Sequence, residues 1–213
     1  MIEKLACKLG RKDEEPNIEL AELLCRNKDA DGIREIIDGL KGTERAVAND
    51  CIKVLYEIGE RKPELISAYA DDFLALLTSR NNRLVWGGMT ALAAMSDLSP
   101  EPIYDKIDVV LSVFRNGSVI AVDNSVTVLA KLCKAGKTYE NHLFPLLLAH
   151  LRTCRTKEVP QHAERAAICV NKDNAKAFLD ALSARKEHLD GSRLDRVKKL
   201  EKAIPTNCRR NHS

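Results

Sequence analysis

Residues 83–98 read RLVWGGMTALAAMSDL, and this stretch decides the fold. Its apolar residues recur at the three- and four-residue spacing of a helix that buries one face. Small or apolar residues also stand 37 positions before and after them, so the helix returns in altered form along the chain. A fixed period of about 20 to 50 residues is the signature of a solenoid, whose units bury their apolar faces only against neighbours. Three such columns are Leu55, Leu92, Leu129 and Ala166; Ile58, Met95, Leu132 and Cys169; and Ile52, Met89, Val126 and Ala163.

The composition favours an all-helical chain. Of the 213 residues, 45% are hydrophobic and 31% are charged, but only 4% are aromatic. β-Sandwiches depend on aromatic and β-branched residues, whereas this mixture is typical of helices rich in leucine, alanine and valine. The formal charge of +3 is too close to neutral for the whole chain to be a nucleic-acid-binding surface.

The N-terminal residues and the cysteines favour a cytoplasmic protein. Charged residues interrupt the start of the chain, where a secretory signal needs an apolar run, and no apolar run reaches the length of a membrane span. We expect free thiols in a reducing compartment and no membrane partner, because the cysteines are odd in number, scattered and mostly within helical patterns. They are Cys7, Cys25, Cys51, Cys133, Cys154, Cys169 and Cys208.

The chain contains no linker rich in glycine, serine or proline that would separate domains. We therefore expect one repeat domain over residues 1–204, in which residues 1–29 form N-terminal capping helices. Residues 205–213 are expected to form a basic, disordered tail.

Glycine, proline and polar caps predict where several helices begin and end. A short amphipathic helix is predicted before Gly10, and Asn17 is predicted to cap the helix that follows. Asp29 or Asp31 can cap the next one. Gly59 is expected to close a later helix. Pro145 is expected in the first turns of another, where the missing N–H does little harm.

Two consecutive helices and the turn between them carry a family resemblance. FLALLTS at 73–79 ends a first helix, RNN at 80–82 forms a polar turn, and RLVWGGMTALAAM at 83–95 forms a second helix. Pairs of this kind resemble the HEAT/armadillo class of α-solenoids, and the resemblance covers about residues 30–204. It implies a right-handed α–α superhelix of about five helix pairs. It also implies that another macromolecule binds along a concave face, which the second helices line.

Trp86 is the only tryptophan, and it stands in a column of otherwise polar residues, which is therefore expected to be exposed. The neighbouring columns, one of which contains Lys53, are also polar, so we expect them to be exposed too. Aromatic anchors surrounded by polar groups are enriched at binding hot spots. The column and its polar neighbours therefore predict a partner-binding ridge, with another protein as the partner. The other interpretation is that Trp86 packs against an adjacent loop. The predicted ridge consists of Trp86, Asn49, Lys53, Asp123 and Asn124.

Gly87 and Gly88 follow the tryptophan inside the same helix. Each glycine costs about 1 kcal/mol in a helix interior relative to alanine, so a structural reason is expected. Close approach of the neighbouring helix is the favoured reason, and contact with a ligand is the alternative.

The C-terminal part of the chain is basic. From Arg193 to the end, seven basic residues stand against two acidic ones. Nucleic-acid binding is therefore the alternative function, and a solvated helix face followed by a disordered tail is the other interpretation. The candidate phosphate contacts are Arg193, Arg196, Lys198, Lys199 and Lys202.

No catalytic motif of a hydrolase, a nucleotide-binding enzyme or a metalloprotease occurs, so we expect no enzymatic activity and no cofactor. One enzyme class nevertheless uses a similar architecture, the HEAT-like alkylpurine DNA glycosylases. They place aromatic residues and an acid over a basic groove, and Trp86 and Asp123 would be the candidates here. The central columns are too acidic and too poor in aromatics to favour this function.

The sequence gives little support for a metal site. Cys208 and His212 have a spacing that metal ligands can use, and Cys154 with His162 can be added to them. Zinc sites normally show two tight pairs of ligands instead. We therefore predict no metal.

Overall fold

The computed structural model describes residues 1–204, which form α-helices and short 3-10 turns and contain no strand. Within these residues every helix is too short or too polar to span a bilayer. The α-helices in chain order are α1 (Glu15–Asn27), α2 (Ala30–Gly39), α3 (Arg45–Arg61), α4 (Ala70–Leu76), α5 (Asn82–Met95), α6 (Pro100–Asp105), α7 (Ile107–Asn116), α8 (Val119–Ala135), α9 (Lys137–Thr153), α10 (Val159–Ala166), α11 (Ala175–Ser183) and α12 (Gly191–Ala203).

The repeat columns are the core of the structure. Leu55 on α3, Leu92 on α5 and Leu129 on α8 are each completely buried. The other members of the three columns are also buried, the most exposed being Cys169 at 5%. The 37-residue period therefore places equivalent side chains in equivalent apolar surroundings, as predicted.

The contacts of the chain divide it into two compact units, residues 1–128 and residues 129–213. The boundary falls within α8. The expectation of a single domain over residues 1–204 stays a prediction. The basic tail predicted over residues 205–213 lies outside the described residues.

The first unit is built around α3. The helices α1, α2 and α5 all pack against it, and α4 packs in turn against α5 and α6. In the second unit α9 packs against α10 and α11, and α10 packs against α12. Each unit thus consists of layered helices whose apolar faces cover one another.

The N-terminal segment differs from the prediction. A 3-10 turn at Ile2–Lys4 and further turns replace the amphipathic helix expected before Gly10. Asn17 does not cap α1, because it lies inside the first turn and is completely buried. Its Oδ1 accepts a hydrogen bond of 3.0 Å from the N–H of Ala6. The amide therefore holds the preceding segment, and Pro16 takes an early helical position where no N–H is needed.

Two other helix boundaries were predicted wrongly. Helix α3 continues past Gly59 to Arg61, and Gly59 is needed because a Cβ there would lie 2.9 Å from Ile66 and 3.1 Å from Ala94. Pro145 lies in the middle of α9, not in its first turns. It is on the exposed side of that helix, so water can solvate the backbone carbonyl that proline leaves without a partner. The cap at Asp29 is confirmed, since its Oδ1 accepts from the N–H of Gly32 at 2.9 Å.

The paired glycines of α5 reflect close helix packing. A Cβ on Gly87 would lie 2.5 Å from Cγ1 of Ile52 on α3, and a Cβ on Gly88 would lie 3.2 Å from Leu76 on α4. Real Cβ atoms do not approach a neighbour at the first distance. The close approach predicted from the sequence is therefore confirmed at Gly87.

Candidate binding face

Trp86 lies half-buried on α5, in the first unit. Its ring centroid is 5.5 Å from that of Tyr56 on α3, and the two planes are tilted by 47°. The guanidinium of Arg83 lies 5.6 Å from the centre of the indole. The indole therefore packs on Tyr56 of a neighbouring helix, and Arg83 lies beside it.

Lys53 is at the centre of a buried network of charges. Its Nζ lies 2.6 Å from Glu57 and 3.3 Å from Glu14, and it stands 4.8 Å from the centre of the Tyr56 ring. Only 9% of its side chain is exposed, so the exposed position expected for Lys53 is wrong. Arg61 also pairs with Glu57.

Arg83 connects this network to the tryptophan. It pairs with Glu14, and its Nε donates to the backbone oxygen of Asn49 at 3.4 Å. The charges around Trp86 are therefore held by partners from α3 and from the residue that precedes α1.

In this network, ion pairing and hydrogen bonding shift the pKa values more than burial does. Burial alone would lower the pKa of Lys53, but its hydrogen bond to Glu57 and the nearby charges raise that pKa. Burial alone would raise the pKa of Glu57, but the hydrogen bonds from Lys53 and Arg61 lower it. All three groups are therefore charged at neutral pH, and each depends on the others.

Asn49 and Asn124 flank Trp86 on the neighbouring helices α3 and α8. The Oδ1 of Asn49 accepts from Nδ2 of Asn81 at 2.7 Å, and Asn81 caps α5. The Nδ2 of Asn124 donates to Oγ1 of Thr90 at 2.7 Å, and that hydroxyl donates to the backbone oxygen of Trp86. Both amides are thus tied to the helix that carries the tryptophan.

The structure brings four of the five predicted residues into one connected set. Trp86 and Lys53 both contact Tyr56, while Asn49 and Asn124 reach α5 through hydrogen bonds. Asp123 is half-buried beside Asn124 on α8. A role of these residues in partner binding stays a prediction.

Tyr56, Glu14, Glu57 and Arg83 belong to the same surface and were not predicted. Tyr56 has a sequence signal, because the positions 37, 74 and 111 residues later are all alanine. An aromatic residue in a column of alanines marks a place where the repeat is interrupted. We call the surface formed by Trp86, Tyr56, Arg83, Asn49 and Asn124 the tryptophan face.

A small pocket lies at one edge of the tryptophan face. Its volume is about 220 Å³, and its lining includes Asn49, Asp50, Arg83, Glu14 and Arg11. The lining carries both signs of charge. The pocket is of a size for one polar side chain.

The basic residues of α12 lie in the second unit and are all exposed. Arg196 makes a two-bond pair with Glu164, at 2.9 and 2.6 Å, and Arg193 lies 3.7 Å from Asp190. Among residues 1–204 no carboxylate pairs with Lys198, Lys199 or Lys202. Within these residues, ion pairs thus involve the two arginines and none of the three lysines, although Glu164 also interacts electrostatically with Lys199.

Two of the four metal-ligand candidates lie together. Cys154 and His162 are close to each other and to His150, whereas Cys208 and His212 are outside the described residues. The six described cysteines carry free thiols, as predicted.

No protein-family model matches the sequence, and no curated protein matches it. An engineered protein solved by the Northeast Structural Genomics Consortium matches the structure with a TM-score of 0.68 and 20% identity, over 95% of this chain and 94% of its own. A designed armadillo repeat protein in complex with the peptide (KR)4 matches with a TM-score of 0.71 and 11% identity, over 90% of this chain and 91% of its own. Kap121p bound to Pho4p matches with a TM-score of 0.65 and 19% identity, over 84% of this chain but only 19% of its own.

These likenesses establish the fold. The chain is an all-α protein with the repeat fold of armadillo and HEAT-like solenoids, as its sequence predicted. Identities of 20% or less carry no statement about function.

Proposed function

We propose that this protein is a non-catalytic scaffold that binds an extended segment of another protein across the tryptophan face. The observation that carries the proposal is the position of Trp86, which is half-buried against Tyr56 and Arg83 in the middle of an otherwise polar surface. Packing on one side fixes the indole before a partner arrives. A fixed aromatic side chain loses little conformational freedom on binding.

The groups around Trp86 suit a polypeptide backbone. Among residues 1–204, the side-chain oxygen and the backbone oxygen of Asn49 are engaged, and its Nδ2 is available as a donor. An amide N–H₂ can donate to the carbonyl of an extended chain. The pocket beside Asn49 would accept one polar side chain of that segment.

The neighbouring charges define what kind of segment fits. Lys53, Glu57 and Arg83 already pair with one another or with Glu14, so a strongly charged ligand would have to break these pairs. The segment that fits best has an apolar or aromatic residue for Trp86 and few charges next to it.

The solved neighbours support this function by analogy. One designed armadillo repeat protein was solved with a peptide, and Kap121p was solved with Pho4p. The free thiols of the six described cysteines support a reducing, cytoplasmic location for the interaction.

The experiment uses Trp86 as its own probe, because it is the only tryptophan of the chain. Peptides are selected from a random library on the full chain and then titrated while the indole fluorescence is recorded. We expect a shift in emission and micromolar or tighter binding. We expect affinity for the same peptides, measured by calorimetry, to fall at least about tenfold in Trp86→Ala, as is usual for a hot-spot residue.

Leu98→Ala is the matched control, because Leu98 is another large apolar side chain and is 50% exposed. It should leave binding unchanged. Circular dichroism and thermal melting would show that Trp86→Ala is folded. Peptides that bind Trp86→Ala as tightly as the unchanged protein would contradict the proposal.

Nucleic-acid binding by α12 is the second candidate, and the three lysines without a carboxylate partner favour it. Its test is a titration with duplex DNA at low and high salt. Binding that weakens steeply with salt, and that is lost when Lys198, Lys199 and Lys202 are replaced by alanine, would support it. Such a result with no peptide selected would favour this function over the scaffold.

A further inference from the structure

Three side chains with metal-binding atoms converge in the second unit. His150 lies in the last turn of α9, Cys154 is the cap that follows, and His162 lies on α10. The Nε2 of His150 is 2.9 Å from the Nδ1 of His162. All three donor atoms, including the sulfur of Cys154, lie within 4.8 Å of one another.

The backbone holds these groups on one side of the junction between α9 and α10. His150 and Cys154 are four residues apart, so one turn of helix places them on the same face. The N–H of Cys154 donates to the backbone oxygen of His150 at 2.7 Å. Pro160, near the start of α10, precedes His162 by two residues, and His162 is completely buried.

Arg185 fixes the position of the cysteine from a third element. Its two terminal nitrogens donate to the backbone oxygens of Leu151 and Cys154, at 3.0 and 2.8 Å. Arg185 is buried, with 8% of the residue exposed. The thiol therefore extends from a backbone that two hydrogen bonds hold in place.

The distances are close to those of a tetrahedral zinc site. Zn²⁺ holds nitrogen at about 2.0–2.1 Å and sulfur at about 2.3 Å, so neighbouring donor atoms are about 3.3–3.7 Å apart. The two nitrogens must separate slightly and the sulfur must approach, each by less than about 1.5 Å. Rotation about the side-chain torsion angles is the movement that the proposal requires here.

Burial and the nearby charge of Arg185 shift the pKa of the Cys154 thiol in opposite directions. Burial raises the pKa of the Cys154 thiol, and the positive charge of Arg185 opposes that rise. A metal needs the thiolate, and its binding would release the thiol proton. Glu158, which stands one turn before His162, adds a negative charge near the cluster, and Arg155 pairs with that charge.

We propose that His150, Cys154 and His162 form a Zn²⁺ site, in which a water molecule is the fourth ligand. The ligand atoms are Nε2 of His150, the sulfur of Cys154 and Nδ1 of His162. Each imidazole binds as the neutral form with its proton on the other nitrogen. The hydrogen bond between the two imidazoles is replaced by two metal–nitrogen bonds. The ion links the end of α9 to α10 and stabilises that junction.

The test is a titration of the full, reduced and chelator-treated chain with Co²⁺, whose absorption reports both tetrahedral geometry and thiolate ligation. We expect one equivalent to bind with visible bands and a near-ultraviolet thiolate-to-cobalt band, and Zn²⁺ to abolish both. Cys154→Ser should lose the thiolate band. Cys154→Ser and His150→Gln should each bind at least about tenfold more weakly, since even loss of a group that only orients a ligand costs tenfold or more.

Cys208→Ser and Cys7→Ser are the matched controls, because each removes a thiol that is not one of the three proposed ligands. Both should keep the thiolate band. Zn²⁺ should raise the melting temperature of the unchanged chain but not of Cys154→Ser, whose fold is checked by circular dichroism. The proposal fails if the chain binds no Co²⁺, if the band survives in Cys154→Ser, or if it disappears in Cys208→Ser.

Discussion

Glu57 on α3 and Glu140 on α9 are two buried carboxylates with different partners. They are 8% and 9% exposed. Glu57, in the first unit, pairs with the buried ammonium of Lys53 and with Arg61. Glu140, in the second unit, accepts from the amides of Asn174 at 3.1 Å and Asn171 at 3.4 Å, and among residues 1–204 the cation that pairs with it is Lys137.

The difference lies in where the balancing charge is located. The side chain of Lys53 is 9% exposed, whereas that of Lys137 is 61% exposed. In the first unit two charges were removed from water together, while in the second a single charge is held largely by neutral dipoles. The stability of the first pair therefore depends strongly on each of its two charged partners. In the second unit several weaker hydrogen bonds together stabilise the carboxylate.

The largest expected effect is that of Lys53→Met. It leaves Glu57 without its buried cation and with the half-exposed Arg61 as its remaining partner. Breaking a buried pair on one side typically costs about 3–5 kcal/mol. The equivalent change at the exposed cation, Lys137→Met, should cost less than about 1 kcal/mol because water already screens that pair. Urea unfolding of both variants measures the two values.

A double variant separates the loss of the pair from the loss of packing. Lys53→Met with Glu57→Leu removes both charges, so it should recover part of the stability lost in Lys53→Met. A double variant that is no more stable than the single one would mean that Lys53 acts mainly through packing on Tyr56. Equal losses in Lys53→Met and Lys137→Met would remove the distinction between the two units.

Asn174→Ala should have an intermediate effect. It removes the bond to Glu140, a bond of 3.1 Å to the backbone oxygen of Cys169, and the bond of 2.8 Å that its Oδ1 accepts from the N–H of Asn171. Hydrogen bonds to charged groups contribute about 1.5–3 kcal/mol, and Asn171 and Lys137 remain with the carboxylate. Urea unfolding should therefore show a loss smaller than that of Lys53→Met. A larger loss of stability than in Lys53→Met would show that the amides around Glu140 contribute more to stability than the buried cation beside Glu57.

The pH dependence of stability should show the smallest effect. The pKa values of Glu57 and Glu140 are both below the ordinary value of 4.5, because for each the hydrogen bonds of its partners outweigh the effect of burial. A carboxyl with a lowered pKa stabilises the folded state fully above its unfolded pKa, and the stability is lost as the pH falls through the folded pKa.

Unfolding measured between pH 7 and pH 3 should therefore show falling stability below about pH 4.5. Glu57→Gln and Glu140→Gln should each make that fall shallower, by at most about 1.4 kcal/mol per pH unit for one proton. An unchanged slope in both variants would mean that other carboxyls control the acid response.

The sequence predicted the core because the core is periodic. Leu55, Leu92 and Leu129 occupy the same place in successive helices, and a 37-residue step finds them without any knowledge of the third dimension. The close approach at Gly87 was predictable because a glycine inside a helix is unfavourable unless a neighbouring element lies too close for a side chain.

The contacts that interrupt the period could not be predicted in this way. Glu14 reaches Lys53 and Arg83 from a segment before the regular repeats, and long charged side chains do not show their direction in a sequence. The burial of Lys53 was missed because a column of polar residues was interpreted as exposed. His150 and His162 meet across the break between α9 and α10, where helical spacing no longer relates two positions.

The contact between Gly87 and Ile52 also sets a limit on how this array can grow. One repeat later the position of Gly87 is taken by Asn124, which hydrogen-bonds to Thr90. If the repeat that carries Gly87 were duplicated and the copy inserted after the original, the glycine of the copy would face Met89 in place of Ile52. Neighbouring repeats are therefore matched to each other and cannot be exchanged freely. Lengthening the protein by one repeat would require a redesigned contact between the repeats.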